Sequence, residues 1–179
     1  MKIRRVVTAK NEAGKSAVVS DGNSPREMVL EHTPGFVSSP IWTTDATPDL
    51  KTGQADPMGK EGSLLAPPGG ATFLVVTFPP NSVMMAPEFD PMKAGPEHAA
   101  AAPGIAETFE MENPGMHTTP TLDFATVVKG QIVLELDDGE TVTLNAGDTV
   151  VQHGVRHAWR NPGDAPATVS FVMLGASGA

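Results

Sequence analysis

The feature that most constrains this chain is a regular succession of short strand-like segments after residue 117. The segments DFATVVKG, QIVLELDDG, ETVTLNAGD, TVVQHG, HAWRNPGD and ATVSFVML follow one another with turn residues between them. Asp138-Gly139 is a hairpin signal, because glycine tolerates the positive φ that a tight turn requires. Strands of this length, separated by turns rich in Gly, Asp and Pro, predict a β-sandwich or a β-barrel.

The first 45 residues are predicted to form an arm beside the main domain. The segments IRRVVTA and KSAVVSD predict a β-hairpin, and GFVSSPIWTTD predicts a further strand that is interrupted at Pro40. A two-stranded ribbon is marginally stable in isolation. We therefore expect residues 1–45 to pack on the main domain, residues 46–179, or on a partner subunit.

Residues 86–115 interrupt the β pattern. An Ala-rich stretch that ends at Pro103 and Gly104 predicts one short helix in this segment. Because the segment enters just before His117, we expect it to form a lid over the mouth of the barrel. Its Ala, Pro and Gly content is typical of a mobile segment.

Composition excludes several classes of function. The chain of 179 residues has a net charge of −9 and no cysteine. Phosphate binding needs a positive surface, so neither nucleic acid nor an anionic membrane is an expected partner. The absence of cysteine excludes disulfides, thiolate metal ligands and a cysteine nucleophile. Neither a signal-peptide core nor an apolar run near the ~18 residues of a spanning helix is present, so we expect a cytoplasmic protein.

Two segments carry the candidate functional side chains. If residues 117–128 are extended, His117, Thr119 and Asp123 lie on one face, because side chains alternate along a strand. Polar groups on an inward face are costly unless each has a partner. The later segment HGVRH supplies His153 and His157, which are two more imidazoles beside a tight turn.

The first of these segments resembles the first motif of the cupin superfamily. That motif is a Gly, five residues, His-x-His, three or four residues, Glu, six residues and Gly. In this chain His117 matches the first His, Thr119 stands in the place of the second, and Asp123 stands in the place of the Glu. Six residues separate Asp123 from Gly130, as the motif requires.

The second segment resembles the second cupin motif, which is a Gly, five residues, Pro-x-Gly-x-x-His, three residues and Asn. Gly147 matches the first Gly, His157 matches the His, and Asn161 matches the Asn. His153 occupies the Pro place, and the turn is one residue shorter than the motif.

The resemblance implies an all-β fold, a double-stranded β-helix or cupin jelly-roll barrel, with an N-terminal β-hairpin arm and a short helical insertion. It also implies one divalent transition metal (iron, zinc, manganese or nickel) held by His117, Asp123 and His157. Asp123 has a competing role as an acceptor that orients an imidazole. His98 or His153 is available to complete the ligand set. Cupins of this kind are often dimers, and the arm is suited to adding strands to a partner, so we expect a homodimer.

The resemblance implies a metal-dependent cupin enzyme that acts on a small, largely apolar organic substrate. Lyase, dehydratase, isomerase, decarboxylase and dioxygenase chemistry all remain open. His153 is the candidate general acid/base, because an imidazole titrates near neutral pH. Met116, Thr119, Phe124 and Trp159 are the expected pocket residues. The alternative is a non-catalytic small-molecule-binding cupin without a catalytic metal, which the threonine in place of the second ligand favours.

Overall fold

The computed structural model describes residues 2–50 and 55–177. Within these residues it has eleven strands and two α-helices. In chain order they are β1 Arg5–Lys10, β2 Ser16–Gly22, β3 Met28–Val29, β4 Val37–Thr44, β5 Ala71–Phe78, α1 Ser82–Met85, α2 Pro91–Ala101, β6 Thr121–Lys129, β7 Gln131–Glu135, β8 Thr141–Asn145, β9 Thr149–His153, β10 Ala158–Arg160 and β11 Ala167–Gly175. None of the helices in the described part of the chain has the length and hydrophobicity needed to cross a membrane.

Two antiparallel sheets enclose the core. One has six strands in the order β3-β4-β5-β11-β6-β9, and the other has three strands in the order β10-β7-β8. Buried apolar side chains from both sheets pack into one cluster, with additional contacts from Leu64 and Ile105. The cluster includes Leu74, Val76, Ala125, Val127, Ile132, Leu134, Leu144, Val169, Phe171 and Met173. The predicted all-β cupin jelly-roll barrel is confirmed.

Strand β6 shows the alternation on which the site prediction depends. Thr121, Asp123, Ala125 and Val127 are buried, whereas the residues between them are half-buried or exposed. Because its register with β9 and β11 runs without interruption from Leu122 to Thr126, the inward face of β6 is fixed by its neighbours on both sides.

The hairpin that was predicted at Asp138-Gly139 is present between β7 and β8. Both residues have positive φ, 55° for Asp138 and 76° for Gly139. The turn is longer than a two-residue connection, because the last paired residues are Glu135 and Thr141. An aspartate tolerates this left-handed conformation better than most non-glycine residues.

The N-terminal arm is smaller than the sequence analysis expected. β1 and β2 form a separate two-stranded ribbon, but β3 and β4 are strands of the six-stranded sheet. β4 pairs with β5 along its length, with a bulge between Pro40 and Trp42 where the proline cannot donate to the ladder. The boundary between arm and barrel therefore lies before β3, and not at residue 45.

The predicted helix in the insertion is α2. Asp90 caps its first turn by accepting a hydrogen bond from the main-chain N–H of Met92. On the barrel side, the Glu97 carboxylate accepts hydrogen bonds from the main-chain N–H groups of Glu31 and His32. These contacts fix the insertion to the loop between β3 and β4.

Candidate functional site: a buried histidine pair

Two imidazoles meet where the two sheets come together. His117 precedes β6 of the six-stranded sheet, and His157 precedes β10 of the three-stranded sheet. Their main chains form an isolated antiparallel bridge, in which the N–H of each residue donates to the carbonyl of the other at 3.0 Å. The ring centroids lie 4.2 Å apart. Both side chains are buried.

The main chain fixes the tautomer of both rings. Nδ1 of His117 lies 3.0 Å from the carbonyl oxygen of Gly115, and Nδ1 of His157 lies 2.8 Å from that of Val155. A carbonyl can only accept, so each Nδ1 carries the hydrogen and each Nε2 is the unprotonated nitrogen. The two Nε2 atoms are thus left as base or ligand atoms.

Burial keeps both rings neutral. Desolvation lowers the pKa of His117 below its ordinary value. Desolvation together with the neighbouring His117 ring lowers the pKa of His157 to about 4. A second positive charge beside the first is unfavourable, so a charge on the His117 ring opposes protonation of His157.

The insertion covers the histidine pair. The ring of Phe109 lies 4.6 Å from that of His117, centroid to centroid, and the two residues form a main-chain bridge. Arg156, the residue before His157, donates to both carboxylate oxygens of Glu110 and to Asp137. These contacts tie the end of the insertion to the segment that carries His157.

A second polar group lies inside the barrel. Asp123 on β6 and Gln152 on β9 are register partners, and both side chains are buried. Oδ1 of Asp123 and both amide atoms of Gln152 have no hydrogen-bond partner in the described part of the chain. Burial raises the pKa of the Asp123 carboxyl, against a smaller opposing effect of a hydrogen bond from Thr121.

Two predicted site residues lie outside the barrel. His153 is exposed and pairs with Leu122 across β9 and β6, so it does not face the histidine pair. Its inward neighbour is Gln152. Phe124 is 43% exposed on the outer face of β6, and its assignment to the pocket wall is corrected. Both corrections follow from the alternation of side chains along a strand.

The remaining predicted residues are buried or half-buried. Thr119 is buried, and its hydroxyl is 2.7 Å from that of Thr121. Met116 is buried in the segment that leads into the histidine pair. Trp159 packs edge-on against Phe171, with ring centroids 5.3 Å apart, and its ring also lies near His157.

The predicted metal ligands are brought together only in part. Among residues 2–50 and 55–177, no group of three or more His, Cys, Asp or Glu side chains is placed to hold one ion. His117 and His157 are paired, but Asp123 does not form a group of three with them. Nε2 of His98 is 2.9 Å from the Thr33 hydroxyl, and so His98 is used elsewhere.

A metal site requires more donors than the histidine pair alone supplies. Catalytic zinc sites take three protein ligands, and the facial triad of iron takes two His and one carboxylate. The anchored imidazoles fit two of these ligand positions. The third position is not filled by a described side chain, so a metal here would have two ligands from this part of the chain.

The fold and the site define a double-stranded β-helix protein whose barrel encloses a buried histidine pair. Residues 108–173 match the family Cupin_2, the cupin domain. The similarity to the cupin superfamily that the two motifs indicate is thus supported over residues 108–173.

Relatives of known description match short segments of the chain. Oryzines biosynthesis cluster protein J of Aspergillus oryzae is 45% identical over 49 residues, which is 27% of this chain and 27% of that protein. The cupin-domain-containing oxidoreductase virC of Hypocrea virens is 36% identical over 62 residues, 33% of this chain and 32% of that protein. The chain thus spans between a quarter and a third of the length of these curated relatives. A solved Cupin 2 conserved barrel domain protein from Salinispora arenicola has a TM-score of 0.38 at 18% identity, covering 60% of this chain and 65% of that one.

Proposed function

We propose that this chain is a cupin enzyme that transforms a small, largely apolar organic molecule at the His117–His157 pair. The observation that carries the proposal is the pair itself. Two buried, neutral imidazoles are held by their main-chain bonds so that both Nε2 atoms are unprotonated. A positioned imidazole that accepts a proton from a reacting group is a common form of general base catalysis.

The pKa of His157 narrows the type of reaction. A base with a pKa of about 4 keeps a proton only briefly at neutral pH. We therefore favour reactions in which the proton on Nε2 exchanges with solvent and a proton is returned within the same turnover, such as isomerisation or dehydration. Nε2 of His157 would take the proton from the substrate, and the carbonyl of Val155 would keep the ring oriented through Nδ1–H.

The insertion has the proposed role of a lid. Phe109 lies against His117, and the Arg156–Glu110 ion pair holds this cover in place. A closed cover excludes water, which strengthens the electrostatic interactions of the pair with a bound substrate. The names of the relatives support a catalytic role, since one is called an oxidoreductase and another belongs to a biosynthesis cluster.

Hydrogen exchange in D₂O tests the proposal. The protein is incubated with phenylacetone, a neutral ketone with an apolar ring, and deuterium at the α carbon is followed by NMR. We expect exchange well above the rate in buffer. Exchange at the buffer rate, with the ketone shown to bind, would favour the non-catalytic binding cupin instead.

A metal-dependent enzyme is the second candidate, and the anchored imidazoles favour it. Proteins orient metal-bound imidazoles by bonding the other ring nitrogen to a carbonyl or carboxylate. His117 and His157 would hold a divalent iron, zinc, manganese or nickel through Nε2. Asp123 occupies the cupin position of the third ligand but is not grouped with them in the described residues. Such an ion supplies Lewis acid or dioxygen chemistry when bound.

Elemental analysis tests this second candidate. The protein is purified without a histidine tag beside His157→Asn, which keeps a donor toward the Val155 carbonyl but removes Nε2. About one equivalent of a transition metal, lost in the variant, is the expected result for a metal enzyme. Wild type that stays metal-free after soaking, or a variant that keeps its full metal, rules it out.

We also propose that the chain forms a homodimer through the outer face of the six-stranded sheet. One register row on this face is apolar from β4 to β9. It consists of Trp42, Phe73, Val172, Phe124 and Val151, of which Phe73, Phe124 and Val151 are exposed. Two copies related by a twofold axis can bury the same row against itself.

The dimer is tested with Phe124→Glu, which places a charge in the middle of the row. We expect a dimer mass for wild type in solution scattering at micromolar concentration and a monomer mass for the variant. Thr126→Glu is the control, because Thr126 is exposed on the same face two residues further along β6. A monomeric wild type, or a dimer that survives Phe124→Glu, contradicts the proposal.

A further inference from the structure

The barrel interior contains polar side chains that the proposed function does not use. Asp123 is 4% exposed and Gln152 is 3% exposed. One carboxyl oxygen and both amide atoms have no partner in the described residues. Buried polar groups in folded proteins are nearly always hydrogen-bonded, so three unpaired atoms on two facing residues call for an explanation.

The register shows where these atoms lie. Gln152 on β9, Asp123 on β6, Met173 on β11 and Thr72 on β5 are successive partners in one row across the sheet. All four are buried, and the Thr72 hydroxyl already donates to the carbonyl of Leu64. The unpaired atoms of Gln152 and Asp123 therefore lie next to each other on the inner face of the sheet, at its β9 edge.

Within residues 2–50 and 55–177, no buried positive charge compensates this position. Among the described residues, the buried basic side chains are Arg5, His117 and His157. Arg5 is bonded to Asp56 beside the N-terminal ribbon, and the two imidazoles are neutral. A carboxylate or phosphate ligand would meet no partner charge here, and an anion without one is costly in such a site.

We infer that Asp123 and Gln152 form a hydrogen-bonding subsite for the substrate. It takes an uncharged group that presents an acceptor and a donor side by side, as a carboxamide or a hydroxy carbonyl compound does. The Gln152 amide supplies a donor and an acceptor on neighbouring atoms. Asp123 acts there as a hydrogen-bonding group. This inference rests on the proposed function, because it names the class of molecule brought to the histidine pair.

Calorimetric titration with three probes of nearly equal shape tests the subsite. Benzamide presents a donor and an acceptor, acetophenone presents an acceptor only, and benzoate is an anion. We expect benzamide to bind wild type roughly tenfold more tightly than acetophenone, which leaves protein groups unpaired. Benzoate should bind more weakly than both. Absence of benzamide binding, or tighter binding of benzoate, overturns the inference.

Variants assign the binding to the two residues. Gln152→Met preserves side-chain length, and we expect it to weaken benzamide binding roughly tenfold. Gln131→Met, a change at the exposed glutamine on β7, is the matched control and should not alter binding. Asp123→Asn keeps a hydrogen-bonding group, so it should retain benzamide binding within about threefold. The same substitution removes the carboxylate that a metal ligand would need. If Gln152→Met binds benzamide as tightly as wild type does, then water alone satisfies the Gln152 amide and the subsite is refuted.

The outcome is separable from that of the proposed function. His157→Asn should leave benzamide affinity nearly unchanged and abolish deuterium incorporation into phenylacetone. Binding that depends on Gln152 in a protein without exchange activity supports the subsite and contradicts the enzyme. Exchange activity with benzamide binding that is indifferent to Gln152→Met supports the enzyme and contradicts the subsite.

Discussion

His157→Asn is expected to lower the rate of hydrogen exchange into phenylacetone by about 10²–10⁴-fold. The amide of asparagine can keep the bond that Nδ1 makes to the Val155 carbonyl, at 2.8 Å in the structure. It offers no counterpart of the unprotonated Nε2. The loss therefore reports the base and not the fold of the segment. NMR detection of deuterium at the α carbon measures it.

His153→Asn is the matched control for this prediction. His153 lies four residues before His157, and its side chain is exposed on the face of β9 opposite to that of the buried Gln152. Its substitution should leave the exchange rate within about twofold of wild type, since surface substitutions away from the core and the histidine pair have small effects. Equal losses in the two variants, or activity retained by His157→Asn, would mean that the pair is not the site of proton transfer.

Asp56→Asn is expected to reduce the free energy of unfolding by about 2–4 kcal/mol. The Arg5 side chain is only 3% exposed, and its guanidinium donates to both carboxylate oxygens of Asp56 and to the carbonyl of Ile41. Asparagine leaves the buried charge without its counter-ion. The estimate lies below that of a fully buried pair because the Asp56 side chain is 32% exposed. Urea denaturation followed by far-UV circular dichroism measures the change.

Asp21→Asn provides the comparison for this ion pair. Asp21 pairs with Arg4, the neighbour of Arg5 along the chain, but both of these side chains are exposed. Water screens such a pair, so its removal should leave the denaturation midpoint nearly unchanged. If Asp56→Asn has as small an effect as Asp21→Asn, then the ribbon does not depend on Arg5 for its attachment.

Much of the fold follows from local sequence signals. The strands after residue 117 and the turn at Asp138-Gly139 were predictable because alternation and turn residues occur together there. The limit of the arm was not predictable. Strand β4 joins the barrel through its register with β5, and a long-range pairing of this kind leaves no trace in the composition of residues 37–44.

The site was predictable where a motif or a buried strand fixed the phase of the side chains. His117, Thr119, Asp123 and His157 all proved buried. His153, the predicted acid/base, is exposed, and its neighbour Gln152 is the buried residue. In the segment TVVQH, each of the two sets of alternate residues contains one valine. The hydrophobic pattern therefore does not indicate which set faces the core.

Phe109 was missed for a different reason. It follows a short 3₁₀ turn in the irregular insertion, where no periodicity indicates a direction for the side chain. Its position over His117 depends on the main-chain bridge between the two residues and on the Arg156–Glu110 ion pair. Contacts of this kind are set by tertiary structure.

The measurement that tests the account most directly is a pH titration of the imidazole ¹⁵N shifts of His117 and His157. We expect both rings to carry their hydrogen on Nδ1 at neutral pH. We also expect His157 to stay neutral down to a pKa of about 4, because desolvation and the neighbouring ring oppose its protonation. A hydrogen on Nε2 of His157, or titration near the ordinary value of about 6.5, would contradict the neutral pair on which the proposed function rests.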